Sequence, residues 1–147
     1  MSDSSRSPDE EVLRVRQEQE KDHARLDEIT LRLRQAGDLV SLAAALDELS
    51  TELEEHFAQE ERPQGIFALL GTHAPAQRVR FESLLDEHAD LLERARSLVE
   101  RARVGGADEE RIGQDTGRLL RLIREHEHRE NAAADDVLRH GKKRPKS

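Results

Sequence analysis

Four segments of this sequence carry apolar residues at alternating steps of three and four positions. The second segment shows the pattern without a break, through Leu39, Leu42, Leu46, Leu49, Leu53 and two polar positions, His56 and Glu60. Residues spaced in this way lie on one face of an α-helix. We therefore predict four amphipathic helices, A to D, each of which buries one face against the others.

Capping and helix-breaking residues set the ends of these helices. Pro8 suits the first position of helix A, where no amide hydrogen is needed, and Gly37 ends that helix. Asp38 and Asp108 are placed to accept hydrogen bonds from the first turns of helices B and D. The glycine pair at 105–106 ends helix C.

The end of helix B is less regular than its start. Pro63 lacks the amide hydrogen that a helix interior uses, so we predict an interruption just after Glu60. A closing segment at 66–70 and a turn at 71–75 then lead into helix C. Short connections favour antiparallel neighbours, and we predict an up-down-up-down four-helix bundle over residues 8–138.

Composition agrees with an all-α single domain. The chain has 147 residues, 38% of them charged and only 2% aromatic, and its apolar residues are mostly Leu and Ala. It contains no Cys, which excludes disulfides and thiolate metal sites. Any metal must therefore bind through imidazole and carboxylate groups.

Net charge and hydropathy limit the classes of partner that the chain can bind. The net charge of −8 disfavours nucleic acid as a general partner, since phosphate attracts clustered Lys and Arg. Residues 139–147 form a basic stretch that we predict to be a disordered tail, as we do the polar lead at 1–7. No apolar run is long enough for a membrane span or a signal peptide, so we expect a cytoplasmic protein without a membrane partner.

A histidine stands on the apolar face of every predicted helix. The four are His23, His56, His88 and His126, and two of them are followed four residues later by Glu60 and Glu130. At a rise of about 1.5 Å per residue, their distances from the helix ends agree to within roughly one turn. The rings are therefore expected to meet in one layer, as a pseudo-repeat of two helical hairpins.

This polar layer points to a metal. Burial of an ionised carboxylate without a partner costs several kcal/mol, and two such groups would lie in a Leu-lined interior. A cationic centre is the simplest compensation, and six ligands match two ions. Carboxylates mixed with imidazoles suit iron best, with manganese or zinc as lesser alternatives.

The chain resembles the hemerythrin-like, or HHE cation-binding, proteins. The resemblance covers helices A to D and rests on four motifs: Asp22-His23, Glu55-His56-Phe57-Ala58-Gln59-Glu60-Glu61, Glu87-His88, and His126 with Glu130. It implies that the four histidines ligate two iron ions, which Glu60 and Glu130 bridge together with an oxygen atom. It also implies O2 as the ligand.

Three features depart from the hemerythrin pattern. Leu84 stands where hemerythrins carry a further histidine, Asn131 stands where their final aspartate would lie, and alanines at 132–134 replace an aromatic run. The chain is therefore similar to the branch with fewer histidines, found in bacterial hemerythrin-like proteins and in an iron-sensing ubiquitin-ligase domain. A missing imidazole leaves a coordination position for water, O2, NO or peroxide.

Three functions remain open from the sequence. The first is a non-haem di-iron protein that binds O2 or a related small ligand for sensing, storage or transfer. The second is an enzyme that oxidises Fe(II) or consumes peroxide or NO. The third is a metal-free interaction bundle whose polar layer fixes the helix register.

Other polar residues near the motifs are predicted to be solvent-exposed. These are His73, His128 and His140, together with Glu61 and Glu127, which adjoin ligand positions but lie off the apolar face. Glu61 is also a candidate for a contact to the outer nitrogen of an imidazole.

Overall fold

The described chain is built from helices. The computed structural model describes residues 8–63, 65–104 and 108–141, and no strand occurs among them. In chain order the helices are α1 (Pro8–Gln35), α2 (Leu39–Glu60), α3 (Ile66–His73), α4 (Arg78–Arg103) and α5 (Glu109–Gly141). A 3-10 turn, Pro75–Gln77, precedes α4. The predicted all-α class is confirmed.

Both predicted aspartate caps are confirmed. Asp38 accepts a hydrogen bond from the backbone N–H of Ser41 at 2.7 Å, and this contact lowers the pKa of its carboxyl. Asp108 accepts one from the N–H of Arg111 at 3.1 Å. The predicted end of helix C at 105–106 lies outside the described residues, as do the lead at 1–7 and residues 142–147 of the tail.

The segment after Pro63 differs from the prediction. It forms a separate helix, α3, which includes three residues of the predicted turn at 71–75. Ile66, Phe67 and Leu70 are buried, and α3 contacts α1, α4 and α5. Burial of this apolar face favours a further turn of helix, and Pro75 then marks its end.

The last helix is also longer than predicted. α5 continues to Gly141, so the first residues of the predicted tail are helical.

Gly65 makes the entry to α3 possible. It is buried, and a Cβ added there would collide with the backbone carbonyl oxygens of Gln59 and Glu60. Only glycine allows the backbone to pass so close to the end of α2. By contrast, a Cβ at Gly113 or Gly117 would meet no atom within 4 Å, so α5 is not closely packed at these positions.

The long helices form a ring of neighbours. α1 contacts α2, α2 contacts α4, α4 contacts α5, and α5 contacts α1. Two groups of buried apolar side chains fill the interior. The large apolar cluster includes Leu26, Leu46, Leu53, Leu91, Leu119 and Ile123, and the small apolar cluster consists of Val15, Ile66, Phe67, Leu70, Phe81, Leu84, Ala133, Ala134 and Val137. In α1, α4 and α5, the predicted polar residues lie between members of the two clusters in the sequence.

None of the described helices combines the length and the apolar character that a membrane crossing would require.

Candidate metal centre

The six predicted side chains converge between the helices. They form two groups of four whose ligand atoms lie within 4.8 Å of one another: His23, His56, Glu60 and Glu130 in the first, and Glu60, His88, His126 and Glu130 in the second. Each group thus contains two imidazoles from neighbouring helices and the same two carboxylates.

The rings are arranged as two pairs. The ring centroids of His23 and His56 are 5.0 Å apart, and those of His88 and His126 are 4.9 Å apart. The two pairs lie close to each other, because both groups share Glu60 and Glu130. Because residues four apart lie on one helix face, each helix that carries a glutamate presents it beside its own histidine.

The carboxylates lie between the ring pairs. His56 Nε2 is 3.0 Å from Glu60 Oε2, and His126 Nε2 is 2.7 Å from Glu130 Oε2. His88 Nε2 is 3.2 Å from Glu60 Oε1 and 3.3 Å from Glu130 Oε2. His23 Nε2 is farther away, 3.7 Å from Glu130 Oε1. The imidazole Nε2 atoms therefore face the carboxylates from both sides.

Burial of the two carboxylates in this layer costs free energy unless a positive charge lies beside them. His56, His88, His126, Glu60 and Glu130 are all at most 4% exposed, and only the His23 side chain reaches 12%. Nε2 of His23 is buried and finds no hydrogen-bond partner among the described residues. A cation between the rings would satisfy this nitrogen and neutralise both carboxylates, so the donor set fits a metal.

Gln19 links the two shared carboxylates. Its Nε2 donates one hydrogen bond to Glu60 Oε2 and another, of 3.0 Å, to Glu130 Oε1. The side chain belongs to α1 and is 4% exposed, while its Oε1 has no hydrogen-bond partner in the described part of the chain. Gln19 thus holds both glutamates in their positions from the α1 side.

Two further carboxylates contact the outer ring nitrogens. Glu61 Oε2 lies 2.7 Å from His88 Nδ1, and Glu87 Oε1 lies 2.7 Å from His126 Nδ1. Glu87 also accepts a hydrogen bond of 2.5 Å from Arg129. Such contacts orient an imidazole so that its Nε2 faces the centre. The predicted contact of Glu61 is confirmed, and Glu61 is exposed as expected.

The prediction that Glu127 is a surface residue is wrong. Its side chain is only 16% exposed, and Oε2 lies 3.7 Å from His23 Nε2 without a hydrogen bond to any described residue. Burial raises the pKa of Glu127 to about 7. The position follows His126 directly and lies at the flank of α5, which α1 covers. His128 is exposed as predicted, while nothing is described for the side chains of His73 and His140.

Two phenylalanines pack against the imidazoles. The ring of Phe57 stacks on His88 with centroids 3.8 Å apart and planes at 4°, and it meets His126 edge-on at 5.7 Å. Phe67 of α3 meets His88 from another side at 5.6 Å. These contacts limit the ring rotation of the α4–α5 pair and exclude water from it.

The histidines and carboxylates of the layer shift one another's pKa values. Burial by itself would lower the pKa of His88, but Glu130, Glu60 and Glu61 together raise it to about 10. The pKa of His126 is raised in the same way, since Glu130 and Glu87 outweigh the effect of burial. Burial would raise the pKa of Glu130, yet its contacts with the imidazoles hold it well below the usual value. In the metal-free chain a protonated His88 would thus supply positive charge that a metal ion would otherwise supply.

Sequence reasoning missed three residues of this site. Gln19 was present on the apolar face of α1, one turn before His23, and a lone amide among apolar residues was the available signal. Glu87 and Glu127 lie one position from a histidine, about 100° around the helix, where the periodic pattern does not decide between burial and exposure.

Comparison with known proteins gives one match. The family model described as the hemerythrin HHE cation binding domain matches residues 15–134. A search of curated proteins found no match, and a search of solved structures found none either. The matched range contains all six side chains of the two groups.

Proposed function

Because the chain belongs to the hemerythrin HHE cation-binding family, we propose that it is a non-haem di-iron protein that binds O2 or a related small ligand such as NO or peroxide. Its role would be sensing, storage or transfer of that ligand. The observation that carries the proposal is that both four-residue groups share Glu60 and Glu130. Two shared carboxylates between two pairs of imidazoles are the donor set that two neighbouring cations require.

The assignment of residues follows from the two groups. We propose His23 and His56 as ligands of one ion, His88 and His126 as ligands of the other, and both glutamates as bridges. Iron suits this mixture of imidazole and carboxylate donors, and manganese or zinc are the lesser alternatives. When bound, the metal pair supplies reversible electron transfer to a small ligand.

The proposed bundle is up-down-up-down. In α1 and α4 the chain passes from the small apolar cluster to the large one, whereas α2 and α5 begin in the large cluster. Together with the ring of helix contacts, this order supports antiparallel neighbours, with α3 covering one end.

Open coordination positions support a small exogenous ligand. Each group offers four protein donors, two imidazoles and two carboxylates, whereas iron commonly takes six. Leu84, at the position of a further histidine in hemerythrins, is buried in the small apolar cluster and brings no donor. The same observation favours a second candidate function, an enzyme that oxidises Fe(II) or decomposes peroxide, because catalytic sites keep open positions.

Aerobic titration of the metal-free chain with Fe(II) tests the proposal. The chain has no Trp or Tyr, so optical bands above about 300 nm report the iron site with little background. We expect the bands to saturate at two iron ions per chain. Glu130→Gln should abolish binding of both ions, since both groups contain Glu130.

The matched control is Glu93→Gln, which removes the same charge at an exposed position of α4. It should leave the stoichiometry at two. A wild-type chain that binds no iron, and keeps its stability when His56 and Glu60 are both changed to Ala, would instead identify a metal-free helical bundle. Turnover of peroxide beyond one equivalent per site would favour the enzyme over the carrier.

A further inference from the structure

A cavity of about 400 Å³ lies between α1 and α2 and reaches the candidate metal centre. Its inner wall includes Gln19, His56 and Glu60, all of which are at most 4% exposed. His56 and Glu60 belong to the first ligand group. The cavity therefore provides a route from solvent to that half of the centre.

The outer wall of this cavity is strongly basic. Arg14, Lys21, Arg25 and Arg62 line it, against the single outer carboxylate of Glu18. The whole chain carries a net charge of −8, so this local excess runs against the overall charge. Four other cavities in the described part of the chain each have at most two Lys or Arg side chains in their walls.

Two of these cations are not neutralised by a neighbour. Arg14 is paired with Glu18 at 3.4 Å and Arg25 with Glu52 at 3.2 Å. Within the described residues, Lys21 and Arg62 form no ion pair. A basic concave wall concentrates anions near it, and Arg and Lys bind carboxylate and phosphate oxygens through charge-assisted hydrogen bonds.

The floor of the cavity offers an independent indication of a ligand. Gln19 is 4% exposed, and its Oε1 is buried without a hydrogen-bond partner among the described residues. A buried carbonyl oxygen of this kind costs free energy unless water or a ligand donates to it. The volume is also many times that of a diatomic molecule, so it accommodates a larger ligand.

We propose that this cavity binds a small oxyanion, a molecule bearing a carboxylate or phosphate group. Its charge would lie at the Lys21 and Arg62 side, and a hydroxyl group at its other end would donate a hydrogen bond to Gln19 Oε1 beside His56. The binding site stands on the cavity itself. Its role as a ligand pocket of the metal centre rests on the proposed function.

Titration of the metal-free ¹⁵N-labelled chain with inorganic phosphate, at constant ionic strength, tests the site. We expect saturable NMR shifts of the Gln19 side-chain amide and of backbone amides facing the cavity. The double variant Lys21→Gln with Arg62→Gln should weaken phosphate binding at least fivefold. Both side chains are exposed, so the variant is expected to fold normally.

The matched control is Arg118→Gln with Arg121→Gln, which removes the same two charges from exposed positions of α5. It should change phosphate affinity less than twofold. Equal weakening by both double variants, or the absence of saturable shifts, would overturn the site, since the effect would then reflect only the overall charge.

The role is tested on the iron-loaded chain. Phosphate should shift the optical bands of the centre, and the Lys21/Arg62 variant should need at least fivefold more phosphate for the same shift. Bands that phosphate leaves unchanged would overturn this role at the metal centre. If no iron bands form at all, the proposed function fails, while the NMR titration still decides whether the anion site exists.

Discussion

The outer nitrogens of His88 and His126 each meet a carboxylate, and these contacts determine how well the rings are held. Glu61 comes from the end of α2, and Glu87 comes from α4. Glu87 is the less exposed of the two and is itself held by Arg129. A ring fixed in this way presents Nε2 to a metal without further loss of rotational freedom.

Replacement of Glu87 by glutamine should therefore weaken metal binding. We expect a loss of about 10-fold in affinity, because residues that support metal-bound imidazoles contribute about 10- to 100-fold. Competition with a chromophoric chelator measures the change. Glu93→Gln, an exposed substitution in the same helix, serves as the control. Equal affinities of the two variants would show that Glu87 does not support His126.

The raised pKa of His88 predicts a pH dependence of stability in the metal-free chain. Below about pH 6.5 this imidazole is protonated in both the folded and the unfolded state, so its stabilising contribution is complete. The contribution is lost as the pH rises through the folded-state value of about 10. We therefore expect the Tm to fall between these two pH values, as measured by circular dichroism.

The metal-loaded chain provides the comparison for this pH effect. A metal-bound imidazole is neutral and has no ring proton to lose on the metal side. The Tm of the metal-loaded chain should therefore change little over the same pH range. The variant His88→Gln should also show a smaller fall when it is metal-free. A Tm of the metal-free wild type that rises with pH would contradict the charged state of His88.

Among the elements, the link from α2 to α3 fixes the position of Glu60, one of the two proposed bridging glutamates. Glu60 is the last residue of α2, and Gly65 passes against its backbone carbonyl. Beyond it, α3 places Phe67 against His88. The connection therefore helps to position residues of both ligand groups, although it supplies no ligand itself.

Gly65→Ala should destabilise the chain by about 2 kcal/mol, since the added Cβ meets backbone atoms that cannot rotate away. It should also lower iron occupancy through displacement of Glu60. The control is Gly71→Ala within α3, where a Cβ meets no atom within 4 Å and should stabilise by up to about 1 kcal/mol. Urea unfolding and metal analysis of both variants measure these effects, and equal unfolding midpoints would contradict the close approach.

Local patterns predicted the long helices because each one combines a periodic apolar face with a cap or breaker. Asp38 and Asp108 confirm this at the level of single hydrogen bonds. The convergence of the histidines was equally predictable, since the position of a residue along the helix axis follows from counting residues. α3 was not, because its extent depends on the space between α1, α4 and α5. The burial of Glu127 likewise depends on how closely α1 approaches α5.

For the molecule as a whole, metal is expected to contribute to folding stability. Ligands that bind only the folded state stabilise it, by about 2.7 kcal/mol per site when free ligand exceeds its Kd about 100-fold. For a chain of this size, that corresponds to a rise in Tm of about 10 °C for each site. Thermal unfolding of iron-loaded and chelator-treated chains measures it.

The variant Glu130→Gln should show no rise in Tm when iron is added, because it lacks a ligand of both groups. A rise as large as that of the wild type would show that the added iron binds elsewhere on the chain.

The polar layer separates an extensive apolar interior from a much smaller one. Apolar cohesion grows with the area that is removed from water, so the smaller side has the weaker hold on its helices. That side contains α3 and the adjoining ends of α1, α4 and α5. If the proposed ions are bound, their loss should therefore loosen this end of the bundle first and open a path to the imidazoles, while the opposite end stays folded and can reassemble the site.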